Sequence, residues 1–202
     1  MQSRKFSFRN GLTILIGILL LGGLGYLAYD QFHPNRAYAF GDPMDELNGV
    51  SVYYNGRVGT VEGRNVAPNG YNLGLKYQCV EFVKRYYFEH LGHQMPDSYG
   101  HAKDFFNPGI QDGGFNRARG LRQFSNPSAT RPQPNDLLVF GPTWRNAYGH
   151  VAIISKVSDE EIEIIQQNAG RNGSTREEFE LDHADGKWEI QSGGLLGWLR
   201  KK

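Results

Sequence analysis

The chain has 202 residues, and its 22 Lys and Arg nearly balance its 21 Asp and Glu, so its formal net charge is +1 at pH 7. This balance argues against a nucleic-acid partner, which requires a basic surface. Hydrophobic residues make up 39% of the chain, which is typical of a globular protein and excludes wholesale disorder. Cys79 is the one cysteine, so an intramolecular disulfide is excluded.

The first element is an uncharged apolar run from Leu12 to Tyr29. As a helix rising ~1.5 Å per residue it would span roughly 27 Å, close to the ~30 Å core of a bilayer, which predicts a transmembrane anchor at 12–29. Basic residues precede the run, and the positive-inside bias predicts a cytoplasmic segment at 1–11 and export of everything after the anchor to the periplasm or cell exterior. A signal peptide cleaved after Ala37-Tyr38-Ala39 is the alternative.

Residues 30–48 are predicted to be a tether, and residues 49–202 one domain of ordinary size. Val50–Tyr54 followed by Asn55-Gly56 predicts a strand that enters a β-hairpin with a type I′ turn. Glycine and asparagine crowd residues 63–74, which predicts a loop there.

A helix is predicted from Cys79 to Leu91, because apolar residues at 80, 83, 87 and 91 recur at helical spacing. Gly92 is a natural stop signal after it. Cys79 therefore lies at the beginning of a helix rather than within one.

The second half of the chain favours strands. Residues 107–134 are rich in Gly, Asn, Ser and Pro and are predicted to form long surface loops with a short helix. Strands are then predicted at Asp136–Phe140, His150–Val157 and Ile162–Asn168, with a turn at 158–161. A helix packed on such an antiparallel sheet predicts the α+β class.

The position of Cys79 suits a nucleophile. Unpaired backbone N–H groups and the helix dipole favour its thiolate, and an approaching imidazolium would favour it further. The N–H groups at this helix end could also hold the oxyanion of a tetrahedral intermediate, and the side chain of Gln78 could add a donor.

His150 is the best candidate for the general base among six histidines, because it begins an apolar strand directly after a glycine-containing loop. His90 and His93 flank the helix end without further ligands at telling intervals, so no metal site is predicted. No cofactor is predicted either.

A third group should orient the imidazole through its other nitrogen. On the next predicted strand, residues 162, 164, 166 and 168 share one face. A three-residue connection, or a bulge with the same effect, would set His150 opposite Asn168 and residue 152 opposite Gln166. A four-residue turn would shift the register by one residue, so that these side chains would face the other side of the sheet. Gln166 and Asn168 are therefore both candidates.

The segments Tyr77–Phe82 (YQCVEF), Gly149–Ile153 (GHVAI) and Gln167-Asn168 occur in an order and spacing that resembles the CHAP family, the cysteine- and histidine-dependent amidohydrolases/peptidases. Within it, the likeness is greatest to the amidase domains of glutathionylspermidine synthetase/amidase and trypanothione synthetase, from about Gly49 to Trp198. The resemblance implies a papain-like, NlpC/P60-type domain with Cys79 as nucleophile and His150 as base, and it supports a role for Asn168.

This sequence departs from those relatives at two positions. Gln166 stands where they have Glu, and Lys84 stands where they have the first of two arginines, while Arg85 matches the second. An Arg-to-Lys change loses bidentate recognition of a carboxylate. Arg85, Trp144 and Tyr148 are predicted to bind the substrate.

The predicted function is hydrolysis of an amide bond through a thioacyl-enzyme intermediate. The predicted export favours peptidoglycan peptides as substrate, and the family likeness favours glutathionylspermidine-like conjugates, which are the alternative. A catalytically inactive wall-binding protein of the same fold is the other class of function, and Gln166 keeps that hypothesis open.

Overall fold

A computed structural model describes residues 8–32, 38–170 and 173–202. The chain divides into two compact units, Met1–Ala37 and Tyr38–Lys202. The first unit contains helix α1 (Phe8–Phe32). The predicted segments 1–11, 12–29, 30–48 and 49–202 stay predictions, and the second unit includes a strand, Pro43–Leu47, within the range of the predicted tether.

The predicted transmembrane anchor is wrong. In the described part of the chain, no helix combines the length and the apolar character that a membrane span requires. A membrane span takes about 20 consecutive, predominantly apolar residues, and four residues of the run 12–29 are glycines. The predicted membrane partner and the predicted single-pass topology depended on this anchor and are wrong with it. The predicted cytoplasmic N-terminus and exported domain, as the two sides of that topology, lose their basis with the anchor.

The second unit is built mainly from strands. Its elements, in chain order, are β1 (Pro43–Leu47), β2 (Val50–Tyr53), β3 (Arg64–Val66), β4 (Asn72–Leu75), α2 (Cys79–Glu89), a 3₁₀-helix (Ala102–Phe105), β5 (Gly114–Asn116), β6 (Leu121–Ser125), β7 (Leu137–Phe140), β8 (His150–Val157), β9 (Glu161–Ile165), β10 (Arg176–Ala184), β11 (Lys187–Ile190) and β12 (Leu195–Arg200). Eight strands form one antiparallel sheet in the order β11-β10-β9-β8-β7-β12-β6-β5.

The described chain is thus mostly sheet with two α-helices, and the predicted fold class, an α+β papain-like domain behind a transmembrane helix, is wrong as stated. The excess of sheet comes from strands that lack an apolar pattern. β10 has the sequence REEFELDHA, and Leu181 is its one buried residue. β5 and β6 lie within residues 107–134, which the sequence predicted as loops.

The β1–β2 hairpin turns at Asn48-Gly49 and not at the predicted Asn55-Gly56. Both turn residues have positive φ, 50° and 81°, as a type I′ turn requires. The Asn55 side chain instead organises a loop, since its amide donates to the Arg57 carbonyl and accepts from the Tyr77 N–H.

The core positions α2 against the central strands. Phe82, Val83, Tyr86 and Tyr87 of α2 pack with a cluster that includes Val151 and Ile153 of β8. A second cluster, which includes Ile154, Ile164 and Trp198, covers the opposite face of the sheet. Full burial of each large apolar side chain contributes about 1.5–3 kcal/mol, so the start of α2 is held rigidly beside the ends of β8 and β9.

Candidate active site

Cys79 is the first residue of α2, and it is half-buried. Gln78 is the N-cap in an extended conformation, and its carbonyl accepts from the N–H groups of Glu81 and Phe82 at 3.1 and 3.3 Å. The first turn is therefore closed on Gln78, and the thiol lies at the positive end of the helix dipole, where a thiolate is favoured.

The thiol and the imidazole of His150 are coupled. Burial opposes ionisation of Cys79, but the proximity of His150 and hydrogen bonds from the Val80 and Val151 N–H groups outweigh it, so the pKa of Cys79 is lowered. Burial likewise disfavours the imidazolium, but Cys79 and Gln166 outweigh it and the pKa of His150 is raised. Both shifts favour the thiolate–imidazolium form of the pair.

His150 is the first residue of β8 and follows a sharp bend at Gly149. Gly149 has φ +75°, and a Cβ there would lie 2.5 Å from the Phe140 carbonyl oxygen, so only glycine fits. The preceding carbonyl, of Tyr148, accepts from the Lys103 N–H of the 3₁₀-helix at 2.9 Å. Strand and 3₁₀-helix together fix the backbone that presents the imidazole.

Gln166 contacts the imidazole directly, with its Oε1 2.8 Å from His150 Nε2. Its Nε2 donates to the Ser174 carbonyl at 3.1 Å and to Glu177 Oε2 at 3.3 Å. Because these two partners are acceptors, the amide oxygen is the end that meets the ring, and His150 Nε2 must donate. The other ring nitrogen, Nδ1, is left for the hydrogen bond with Cys79.

Asn168 lies on the other side of the site, against Gln78. A bulge in β8 sets the register with Ile153 opposite Ile165, which continued would bring residue 168 opposite His150. However, Asn168 has left the strand with φ +57°, and its Nδ2 donates to Gln78 Oε1 at 2.7 Å. The structure therefore brings Gln166 to the imidazole and Asn168 to the N-cap.

The Gln78 side-chain amide is held by the loop that contains Val58 and Thr60. Its Nε2 donates to the carbonyls of Thr60 at 2.8 Å and Val58 at 3.1 Å, and Asn168 Nδ2 also donates to the Val58 carbonyl, at 2.9 Å. An oxyanion role for the Gln78 side chain would require it to exchange one of these carbonyls for the substrate. This role, and that of the Cys79 backbone N–H, stay predictions.

A buried polar network lies behind Cys79, and the role of Gln167 in it was missed in the sequence. Gln167, which is buried, accepts from the Tyr53 N–H at 2.8 Å and donates to the Gln78 carbonyl at 3.1 Å and to Glu81 Oε2 at 2.9 Å. Glu81 in turn pairs with Arg85 at 2.6 Å. The available signal was strand alternation, which points residue 167 away from residues 166 and 168 and toward α2.

The predicted substrate-binding residues separate into two groups. Arg85 is buried in its ion pair with Glu81, and its guanidinium lies 4.8 Å from the centre of the Tyr53 ring. Trp144 and Tyr148, on the loop between β7 and β8, are 87% and 61% exposed. The aromatic residues are thus available to a ligand, whereas Arg85 is occupied.

Lys84 is fully buried next to Arg85. Its ammonium donates to the Ser98 carbonyl at 2.7 Å and to the Asn72 carbonyl, and lies 4.9 Å from the centre of the Tyr71 ring. Burial lowers the pKa of Lys84 to about 8. Neither basic residue after the cysteine motif presents a free charge at the site.

Within residues 8–32, 38–170 and 173–202, no group of three or more His, Cys, Asp or Glu side chains could hold a metal ion.

A family model and a curated relative agree with the resemblance seen in the sequence. A sequence model of the CHAP domain matches residues 68–168. Trypanothione synthetase of Crithidia fasciculata is 27% identical over 156 residues, which cover 73% of this chain and 24% of that protein, so the chain spans about a quarter of its length. Among solved structures, a wild-type endolysin, LysIME-EF1, aligns with a TM-score of 0.38 and 19% identity over 71% of this chain and 60% of its own. The predicted family resemblance is confirmed.

Proposed function

Because this chain belongs to the CHAP family and is a cysteine amidase or peptidase, we propose that Cys79 and His150 hydrolyse an amide bond in peptidoglycan peptides. The Cys79 thiolate attacks the carbonyl carbon, forming a C–S bond and moving the π electrons onto oxygen. Collapse of this intermediate breaks the C–N bond, and the leaving amine takes the imidazolium proton of His150. Water, deprotonated by His150, then attacks the thioester and releases the acid and the thiolate.

The observation that carries the choice of substrate is the burial of both basic residues after the cysteine motif. Lys84 binds backbone carbonyls and Arg85 binds Glu81, so neither is free to hold the carboxylates of a glutathione conjugate. Freeing Arg85 would leave the fully buried carboxylate of Glu81 without its ion-pair partner, which typically costs about 3–5 kcal/mol. A substrate that needs no such clamp fits this site better.

The loop that leads into His150 supports a peptide or glycopeptide substrate. Asn146 orders this loop, since its Nδ2 donates to the Gly149 carbonyl at 2.8 Å and its Oδ1 accepts from the Tyr148 N–H at 3.0 Å. The Arg145 guanidinium lies 4.4 Å from the centre of the exposed Trp144 ring, and the Tyr148 ring contacts the His101 ring in a tilted arrangement, with 4.6 Å between the ring centres. Such aromatic faces can stack on sugar rings and peptide planes while keeping a polar edge in water.

The test compares soluble peptidoglycan fragments with glutathionylspermidine as substrates of the full chain. We expect kcat/KM to be at least about tenfold higher for the fragments, which corresponds to ~1.4 kcal/mol of transition-state binding. Trp144→Ala should reduce this ratio by impairing the fragment reaction alone. Phe115→Ala is the matched control, because Phe115 of β5 is also an exposed aromatic residue with a basic side chain, that of Lys202, over its ring. This substitution should leave the ratio unchanged.

Cys79→Ala and His150→Ala serve as blanks, and each should lower turnover by about 10³-fold or more. If glutathionylspermidine is the better substrate and Lys84→Arg improves it further, the chain is a conjugate amidase. An inactive wall-binding protein, the remaining candidate, would bind peptidoglycan without releasing new amines or acids from it.

A further inference from the structure

The contacts of Gln166 lead one step further from the catalytic pair, to the carboxylate of Glu177 on β10. In the β9–β10 ladder Glu177 lies opposite Ile164, and the Gln166 N–H continues the ladder by donating to the Thr175 carbonyl at 2.9 Å. Gln166 and Glu177 are therefore diagonal neighbours on one face, a geometry in which long side chains meet. Their side chains do meet, at 3.3 Å.

We propose that Glu177 is a positioning residue that fixes the orientation of the Gln166 amide and so maintains the protonated imidazole of His150. The inference rests on the proposed function, because it assigns Glu177 a role in the Cys79–His150 pair.

The orientation of an amide next to an imidazolium matters because its two ends have opposite hydrogen-bonding character. A carboxylate only accepts, so Glu177 holds the NH₂ end of Gln166, as the Ser174 carbonyl also does. The amide oxygen is then left for His150. If the amide rotated by 180°, its NH₂ group would face the Nε2–H of the imidazolium, donor against donor, and the ion pair with Cys79 would be disfavoured.

The charge of Glu177 acts in the same direction. Burial of His150 lowers its imidazole pKa, but Cys79, Gln166 and the negative charge of Glu177 together raise it. Gln166 itself carries no charge. The buried Gln166 amide lies between His150 and Glu177, and the negative charge of Glu177 stabilises the imidazolium across it.

The charges near Glu177 do not cancel this effect. Its neighbour Arg176 is bound by Asp45 of β1 at 2.9 Å and by Glu163 of β9 at 2.7 Å. Side chains of successive strand residues point to opposite faces, so Arg176 and its two carboxylates lie on the other side of the sheet. Cys79 of α2 and Glu177 of β10 both raise the pKa of His150.

The test measures the pKa of His150 from its imidazole NMR shifts, together with the alkaline limb of kcat/KM, in the full chain. Glu177→Gln keeps the side-chain size and removes the charge, so both values should fall by a few tenths to about one pH unit. We expect kcat to fall about 3- to 30-fold. Glu178→Gln is the matched control, because Glu178 is an exposed neighbour on the opposite face of β10 and should change neither value.

Repeating the Glu177→Gln substitution in the Gln166→Glu variant distinguishes a positioning role of Glu177 from a general effect of its charge. In Gln166→Glu, a carboxylate meets His150 directly, so adding Glu177→Gln should cost no activity and should relieve repulsion between two carboxylates. If Glu177→Gln behaves like Glu178→Gln, or costs the same in both backgrounds, the inference is overturned. The NMR measurement requires no substrate, so its result does not depend on the peptidoglycan assignment. If the pKa of His150 is the same with and without the Cys79 thiol, the proposed Cys79–His150 pair itself is overturned.

Discussion

At the scale of single residues, two amides near the end of β9 have different partners although the sequence made them equal candidates. Gln166 bonds the imidazole at 2.8 Å, and Asn168 bonds Gln78 at 2.7 Å. The difference follows from side-chain length and backbone conformation. Gln has one more methylene than Asn, and the backbone of Asn168 has a left-handed conformation that turns its side chain away from the strand. Spacing alone could not reveal this, since the turn and the bulge that set the parity are tertiary features.

The two amides should therefore differ in their effect on catalysis. We expect Gln166→Ala to lower kcat by about 10- to 100-fold, because it frees the imidazole and leaves Nε2 without an acceptor. Asn168→Ala should lower kcat by less than about tenfold, because Gln78 keeps two carbonyl partners. Steady-state kinetics with the rate of Cys79 alkylation would check this, and a larger effect of Asn168→Ala would contradict it.

At the scale of elements, the start of α2 is joined to the sheet by Gln167. One buried amide connects the Gln78 carbonyl, the Glu81 carboxylate and the Tyr53 N–H of β2. Each of these groups would be a buried polar atom with fewer partners if the amide were removed, and such atoms are costly in a core. Gln167 thereby fixes the N-terminus of α2, and with it Cys79, relative to His150.

Replacing Gln167 with Leu should lower the free energy of unfolding by about 2–4 kcal/mol, because the volume is kept and the hydrogen bonds are lost. Urea unfolding measures this. Gln191→Leu is the matched control, since Gln191 is exposed and bonds the exposed Asp182, and its cost should stay below about 0.5 kcal/mol. A loss for Gln167→Leu as small as for the control would show that the network contributes little.

The elements that bear Cys79 and His150 are also those that the sequence predicted best. β8 has the predicted bounds His150–Val157, and α2 begins at Cys79 as predicted, because both have a strong apolar pattern and a glycine at one end. β5, β10 and β11 could not be predicted in this way. They are short or highly charged, and pairing with neighbouring strands defines them rather than their own sequence. Glu177 is on one of these strands.

At the scale of the whole molecule, the described contacts of the candidate site all lie within the unit Tyr38–Lys202. β1 belongs to this unit although the sequence predicted a tether there. Asp45 of β1 binds Arg176 and accepts from the Thr175 hydroxyl at 2.8 Å, so β1 is joined to the segment that leads from Gln166 to Glu177. We therefore propose that the functional domain begins before β1 and not at residue 49.

Two truncations test this boundary. Removing residues 1–37 should leave kcat unchanged and the Tm within about 2 °C, because the site and its supporting strands remain complete. Removing residues 1–48 deletes β1 as well, and should lower the Tm by roughly 6–12 °C, equivalent to a loss of about 3 kcal/mol in a chain of this size. Calorimetry and kinetics on both chains measure this, and equal Tm values would show that β1 is dispensable.

The difference between the two truncated chains should also depend on pH. Burial of Asp45 opposes its ionisation, but Arg176 and Thr175 outweigh this and lower its pKa below the usual 3.8. A carboxylate whose pKa is lowered by folding contributes stability above its unfolded value and loses it as pH falls through the folded value. The stability advantage of the chain that keeps β1 should therefore be full at pH 5–7 and diminish below about pH 4. An advantage that stays constant down to pH 2 would mean that strand pairing, rather than the Asp45–Arg176 pair, holds β1 in place.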